Sequence, residues 1–217
     1  MQAIILSGGQ GMRLRPLTVD RPKALIEVDG APIVIHQLNW LHGAVNKVTF
    51  ACGYKADILM STLGNSYKGI SLSYSIEETH LGTGGAIKKA LNDIDDETVL
   101  VLNGDVLTDF QLKYMIKEHD AHTPITTMLL IPFRSPFGVI KIDKLKTVRE
   151  FVEKPELPDI WVNGGVYIMQ TKKIMPYLPE SGDIEKAVFP RLASYGELLA
   201  FPYYGKWRSI DSFKDVT

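Results

Sequence analysis

The chain has 217 residues, one cysteine, 45% apolar and 23% charged residues, and a net charge of −1. This length and balance fit a single globular domain with a substantial core. Near-neutral charge leaves no global field for nucleic acid or an anionic membrane, and the lone Cys52 excludes an intrachain disulfide and a cysteine-based metal cluster. No signal peptide precedes the first strand and no apolar run approaches the roughly 18 residues of a membrane span. The expectation is a cytoplasmic protein with no membrane or nucleic-acid partner, in which a local basic site does any phosphate binding.

Taken in order, Ala3, Ile4, Ile5 and Leu6 form an apolar run with the length and branching of a buried strand. It runs into Ser7-Gly8-Gly9-Gln10-Gly11, where small residues let backbone N–H groups approach an anion closely. Arg13 and Arg15 follow at once, and Lys23 lies beyond Pro16 and Pro22. A strand end, a glycine loop and these cations together point to a polyphosphate cradle. The Walker pattern is absent, and Leu14 occupies the third glycine position of the dinucleotide fingerprint, so neither familiar phosphate loop accounts for it.

Asp29-Gly30 reads as a turn and Pro32 as the first position of a helix running to about Gly43. His36 and His42 on that segment read as structural or solvated. Strands are predicted over Lys47 to Cys52 and Ile70 to Ile76, and helices over Ala56 to Leu63 and Ala86 to about Asn92. Thr98 to Leu102, apolar after its threonine, predicts a central strand that delivers Asn103-Gly104-Asp105 at its carboxyl end. A helix follows from Gln111 to about His119.

Strands then succeed one another over Ile125 to Ile131, Gly138 to Ile142, Val148 to Val152 and Val166 to Met169. Helices return at Lys172 to Leu178 and Ile184 to Tyr195, with a last strand over Leu198 to Phe201. The alternation predicts an α/β fold: a Rossmann-like open, mixed, mostly parallel sheet with helices on both faces, plus a smaller mixed or antiparallel lobe. No linker or repeat divides the chain. Residues 1–217 read as one domain, with a nucleotide-binding half to about 122 and a second half from about 123. Ligands of such sheets sit at the carboxyl ends of the strands, where the opening loop, residues 77–85 and Asp105 all fall.

Asp105, on the loop after a buried strand, suits Mg²⁺, which takes one or two carboxylates plus phosphate oxygens and water. Its bland reading is an aspartate capping the next turn. His80, His119 and His122 have no metal spacing, and Ser7 lacks the G-x-S-x-G context of a hydrolase nucleophile.

The string G-G-x-G-x-R-L-x-P-L-T followed by P-K, read from Gly8 to Lys23, resembles the signature of the sugar-1-phosphate nucleotidyltransferases, or NDP-sugar pyrophosphorylases. Met12 stands where Thr is usual and Ala24 where Pro is common; neither departure removes a charge. The resemblance implies that Leu6, Ser7, Gly8, Gly9 and Gly11 cradle the nucleotide, with Arg13 on the leaving diphosphate and Lys23 near the α-phosphate. Glu77 and Leu81-Gly82-Thr83-Gly84-Gly85 resemble the family's base- and ribose-recognition segment, and Gly53-Tyr54 is a weaker candidate for it. Gly104-Asp105 resembles the metal-binding strand end. Trp207-Arg208-Ser209-Ile210-Asp211-Ser212-Phe213-Lys214-Asp215 resembles the cytidylyltransferase branch's W-x-x-M-D-T-x-x-D, which makes Asp211 the second ligand. Aligned instead on W-x-D-I-G-T-P, Ser209 takes that place. Asp215 reads as a surface residue.

On the acceptor side, Glu153-Lys154-Pro155 resembles V-E-K-P, with Lys154 meeting the sugar phosphate as a compact point charge. Asn163-Gly164-Gly165-Val166-Tyr167 resembles N-x-G-x-Y, which serves sugar hydroxyls, and Phe137-Gly138-Val139 resembles Y-G-V, which packs on the sugar. Asn103 joins Gly138, Glu153, Lys154, Asn163 and Gly164 in the sugar-phosphate set. The implied reaction joins NTP and a sugar 1-phosphate into NDP-sugar and diphosphate with Mg²⁺ as cofactor.

YSIEETHLGTGGAIKKAL with VLNGD looks most like small guanylyltransferases for mannose or heptose 1-phosphate, although the carboxyl end looks cytidylyltransferase-like. The expectation is GTP with a mannose-type sugar; uridylyl, thymidylyl or cytidylyl transfer are the alternatives. A GT-A glycosyltransferase shares this fold type and a metal carboxylate but gives no reason for Arg13 and Lys23 in a glycine loop. A non-catalytic nucleotide-sugar-binding subunit is favoured only by the Ser209/Asp211 ambiguity. A homo-oligomer is left open.

Overall fold

A computed structural model describes residues 1–216. The first half runs β1 (Gln2–Ser7), β2 (Glu27–Val28), β3 (Ala31–Pro32), α1 (Ile33–Leu41), β4 (Lys47–Cys52), α2 (Ala56–Leu63), β5 (Ser66–Tyr67), β6 (Ile70–Ile76), α3 (Gly82–Leu91), β7 (Thr98–Asn103), β8 (Val106–Thr108) and α4 (Leu112–His122). The second runs β9 (Thr126–Arg134), β10 (Val139–Ile142), β11 (Val148–Val152), β12 (Glu156–Gln170), α5 (Thr171–Ile174), α6 (Ile184–Ala187), α7 (Phe189–Ser194), β13 (Leu198–Pro202) and β14 (Trp207–Ser209).

Eight strands form one sheet in the order β13-β9-β12-β7-β1-β4-β6-β5. Its centre, β7-β1-β4-β6, is parallel, and β12 pairs antiparallel with both β7 and β9. Because side chains alternate along a strand, β1 feeds two cores. Ala3 and Ile5 pack with α1, α2 and α4 through Leu38, Leu59 and Met115. Ile4 faces α3, α5, α6 and α7 through Ile87, Ile174, Ile184 and Leu192. Helices therefore cover both faces, and β1, buried between them, aims its carboxyl end at the rim where the glycine loop begins.

Several boundaries differ from the sequence expectation. The first helix starts at Ile33, because Pro32 pairs with Glu27 in the β2–β3 ladder, and ends at Leu41, not Gly43. α3 begins at Gly82 instead of Ala86; its opening glycines are held against residues 180–182, where a Cβ on Gly84 or Gly85 would strike Gly182 O at 2.9 Å or Glu180 O at 2.5 Å. Asn163-Gly164-Gly165, turn-forming residues by composition, lies inside a 15-residue strand whose register shifts there against β9. The helix expected over 184–195 is two short helices meeting at Val188, with Pro190 in the first turn of the second. Later strands do not all lie apart: β9, β12 and β13 extend the main sheet, β10–β11 stands as a separate ribbon, and β14 pairs with β8. Among the described residues no helix is long and apolar enough to cross a membrane.

Candidate active site

The glycine loop owes its shape to one threonine. Thr18, fully buried, donates its hydroxyl to Gly11 O at 3.0 Å, and its methyl sits where a Cβ on Gly11 (φ 58°) would go. Tyr54, a candidate for the nucleotide pocket, instead donates its hydroxyl to Thr18 O at 3.0 Å and so braces the loop from behind. Beyond the loop, Leu14 is fully buried with Ile26, Val28, Ile33 and Ile210. That cluster fixes Arg13 at one end and Asp211 at the other, since each is the chain neighbour of a cluster member.

Asp105 occupies the two-residue turn between β7 and β8. Gly104 N donates to Leu6 O at 2.9 Å, and a Cβ at Gly104 would collide with that carbonyl, so this position requires glycine. β8 pairs antiparallel with β14, matching Val106 to Ser209, and Ile210 N donates to Asp105 O at 2.9 Å. The ladder thereby brings a residue from the middle of the chain beside Asp211, near its end.

The charged groups then converge. Lys23 Nζ lies 2.6 Å from Asp105 Oδ2 and 3.4 Å from Asp211 Oδ1, and Arg13 Nη2 lies 3.0 Å from the same Asp211 oxygen. Ser209 donates its hydroxyl to Asp211 Oδ2 at 2.7 Å. Burial acts to raise the Asp211 pKa, but the Ser209 hydrogen bond, Lys23 and Arg13 together outweigh it and hold the carboxyl below its usual 3.8. Of the two alignments of the terminal motif, the structure puts the Asp211 carboxylate against Lys23 and makes Ser209 its hydrogen-bond donor. Asp215, read from sequence as a surface residue, accepts the backbone N–H of Asp211 at 3.0 Å and caps the following turn through Ser212. The S-x-x-D spacing is a capping-box signal that the sequence did carry.

These groups border a cavity of about 370 Å³. Leu6, Ser7, Gly8, Gly9, Gly11, Arg13, Lys23, Glu77, Gly82, Thr83, Asn103, Asp105 and Asp211 all line it, as does His80, which sequence reasoning set aside. Ser7 Oγ and Asn103 Oδ1 are buried without a hydrogen-bond partner among the described residues, so the wall holds polar atoms in want of one. Glu77 accepts Leu81 N–H at 2.9 Å on Oε2, while Oε1 lies against Gly8, 2.9 Å from where a Cβ would stand. Thr83 lines the cavity but spends its hydroxyl on Glu185 and on Ile184 N–H, tying the start of α3 to α6. Beneath the floor, burial and then Glu77 push the Cys52 thiol up to about 11, an inert group.

Six predicted residues are not brought to this cavity. Gly84 packs on Gly182 and Pro179. Gly138 lies under Phe151, and Lys154, just past the end of β11, is paired with Glu153 at 3.8 Å with both side chains more than half exposed. Asn163 donates to the Tyr167 hydroxyl at 2.7 Å and accepts from Gly165 N, and Gly164 packs on Leu129. Gly165, the next residue of that strand, abuts the side chain of Asn103, which does line the cavity.

Asp105 and Asp211 already share one cation, the Lys23 ammonium, so the spot between them is built to hold positive charge. No group of three or more His, Cys, Asp or Glu side chains that could hold a metal occurs among the described residues. The donor set therefore fits Mg²⁺ completed by phosphate oxygens and water, not a metal caged by protein alone.

The sequence model of the nucleotidyl transferase family matches residues 2–216. The chain is 35% identical over 225 residues to the mannose-1-phosphate guanyltransferase of Candida albicans, and 35% identical over 222 residues to the mannose-1-phosphate guanylyltransferase catalytic subunit beta of Drosophila melanogaster. Both alignments cover 99% of this chain but only 62% and 60% of those proteins, so it spans about three-fifths of their length. Among solved structures, HddC from Yersinia pseudotuberculosis is similar, with a TM-score of 0.78 and 27% identity over 99% of this chain and 95% of that one. The same protein complexed with GMP-PN gives a TM-score of 0.77 and 25% identity over 99% and 96%.

Proposed function

The chain belongs to the nucleotidyl transferase family, and we propose that it joins GTP to a mannose-type sugar 1-phosphate, forming the GDP-sugar and releasing diphosphate. The observation that carries this reading is the convergence of Arg13, Lys23, Asp105 and Asp211 on the rim of a glycine-lined cavity. In the reaction, an oxygen of the sugar phosphate bonds to the α-phosphorus as the bond to the β-phosphate oxygen breaks in line, and diphosphate leaves with that electron pair. The attacking oxygen is already anionic, so no general base is needed. Alignment and charge neutralisation are what the chain must supply.

Arg13, 77% exposed and reaching in from the loop, is placed to follow the leaving diphosphate. Lys23 serves the α-phosphate. Asp105 and Asp211 are the residues that would hold Mg²⁺, which when bound neutralises phosphate charge on both sides of the reacting phosphorus. Residues 1–122 act as the nucleotide half of one domain and 123–217 as the sugar-phosphate half, with Lys154, Asn163 and Glu153 meeting the acceptor once it is bound.

Guanine follows from Glu77 and from the names of the relatives. A carboxylate is an acceptor only. Guanine offers two adjacent donors, N1–H and the N2 amino group, whereas uracil, thymine and cytosine each set an acceptor beside the donor. Glu77, backed by the Leu81 N–H, matches the first pattern.

The test is incubation with Mg²⁺, each of the four NTPs and a panel of sugar 1-phosphates, following diphosphate. Release only with GTP and mannose-type acceptors supports the reading. Release of nucleoside diphosphate from a supplied NDP-sugar and acceptor, with no diphosphate formed from NTP, would mark a glycosyltransferase, and no turnover would mark a binding subunit.

A further inference from the structure

Gln37 stands on the inner face of α1 among Val34, Leu38 and Leu41, and it is 2% exposed. An amide in that setting costs stability unless it is hydrogen-bonded. Its single nitrogen reaches two carbonyls, Asn103 O and Val106 O, each at 2.9 Å. Those two carbonyls are the last of β7 and the first of β8, on either side of the Gly104-Asp105 turn.

The two strands are not partners. Among the described residues β7 belongs to the main sheet and β8 pairs with β14 alone, so no ladder bond between β7 and β8 fixes the angle at which the chain leaves one for the other. Both N–H groups of Gln37 close that gap. The consequence reaches both carboxylates: Val106 is in register with Ser209, and Asp105 O accepts Ile210 N–H, so a shift of the Val106 end moves Asp105 and Asp211 together.

We propose that Gln37 is a positioning residue for the Asp105–Asp211 pair, stapling the turn so that the two carboxylates face one cation. It touches neither substrate nor metal and acts through the backbone of residues 103–106. The inference rests on the reading of Asp105 and Asp211 as the cation-holding pair.

The test measures how strongly a divalent cation tightens nucleotide binding. GTP is titrated by calorimetry into wild type, Gln37→Met and Gln37→Asn, with and without Mn²⁺; the first variant removes the donors at similar volume, and the second keeps the amide one methylene short. The Mn²⁺-dependent gain in GTP affinity should fall about 10- to 100-fold in both, while metal-free GTP binding stays near wild type. In an Asp105→Asn background, Gln37→Met should cause no additional loss of that gain. Should Gln37→Met fail to fold, Gln37→Asn decides. A folded variant with a lower melting temperature but the full Mn²⁺ gain overturns the inference and leaves Gln37 a purely structural amide. A wild type that shows no Mn²⁺ gain overturns the carboxylate reading itself, and this inference with it.

Discussion

Replacing Lys23 by Met keeps most of the stem and removes the charge that Asp105 and Asp211 share. Two close unit charges attract by about 4 kcal/mol at an effective dielectric of about 20, and much of this is repaid in desolvation. The Lys23 and Asp105 side chains are 18% and 23% exposed and lie 2.6 Å apart, so their pairing falls between the 0–1 kcal/mol of a surface pair and the roughly 3–5 kcal/mol lost on breaking a buried one. The Asp211 contact is longer and its carboxylate is 38% exposed, and solvent screening discounts it almost entirely. A net loss of about 2 kcal/mol is expected, a fall of about 4–8 °C in melting temperature for a chain of this size.

The same variant leaves two carboxylates without their common cation, so MgCl₂ should raise its melting temperature more than that of wild type. Saturation at about 100 times the dissociation constant supplies about 2.7 kcal/mol, enough to offset the loss. The assay is thermal unfolding of both proteins with and without MgCl₂ at constant ionic strength. Equal melting temperatures without metal, or a Mg²⁺ response in the variant no larger than in wild type, would refute the reasoning.

Three further outcomes are expected. Arg13→Ala should lower diphosphate release by roughly two to four powers of ten, the scale of lost transition-state charge stabilisation, while the melting temperature barely moves because the side chain is 77% exposed; unchanged turnover in a coupled assay would remove Arg13 from the mechanism. Glu77→Gln turns an acceptor pair into an acceptor beside a donor, so kcat/KM for GTP should fall and that for UTP or dTTP should rise, each by tenfold or more at about 1.4 kcal/mol per decade; unaltered nucleotide preference would show that Glu77 does not read the base. Because Asp211 titrates lower in the folded chain than its usual 3.8, the stability it contributes is present above that value and lost as pH falls through the folded one. Asp211→Asn should therefore be less stable than wild type at neutral pH, with the gap closing below about pH 4 in urea melts; a gap independent of pH would contradict the ion-pair account.

The first half of the chain was legible because its signals are local. β1, β4 and β6 are continuous apolar or alternating runs, and the glycine loop follows β1 without interruption, so the order of residues 2–15 already states the order of groups in space. The second half was less legible because β12 runs through residues that usually make turns. Asn163-Gly164-Gly165 is turn chemistry by composition, yet the glycines are there because Leu129 and Asn103 press against them. Such a requirement is visible only once the neighbouring strand is placed. Asp215 and Gln37 were missed for the same reason in two forms. Asp215 carries a local signal that was outweighed by its place near the end of the chain, whereas Gln37 carries none: one glutamine on an apolar helix face acquires meaning only from two carbonyls at positions 103 and 106.

On the nucleotidyl-transfer reading proposed above, the pairing of opposite charges at the rim would also constrain how a nucleotide enters. Arg13 and Lys23 balance Asp105 and Asp211, so the cluster is near neutral as it stands. Arg13 and Lys23 cannot turn fully to a triphosphate without leaving two carboxylates, one of them only 23% exposed, facing added negative charge. A nucleotide arriving with its divalent cation would bring the charge that frees them. Lys23 would then be the pivot of the site, since among the described residues it is the one cation in contact with both carboxylates, and its release would couple the metal side to the phosphate side. Arg13, bound to Asp211 alone and largely in solvent, can move with little cost. That asymmetry is why Lys23→Met is expected to register in stability and in the Mg²⁺ response, while Arg13→Ala registers in turnover.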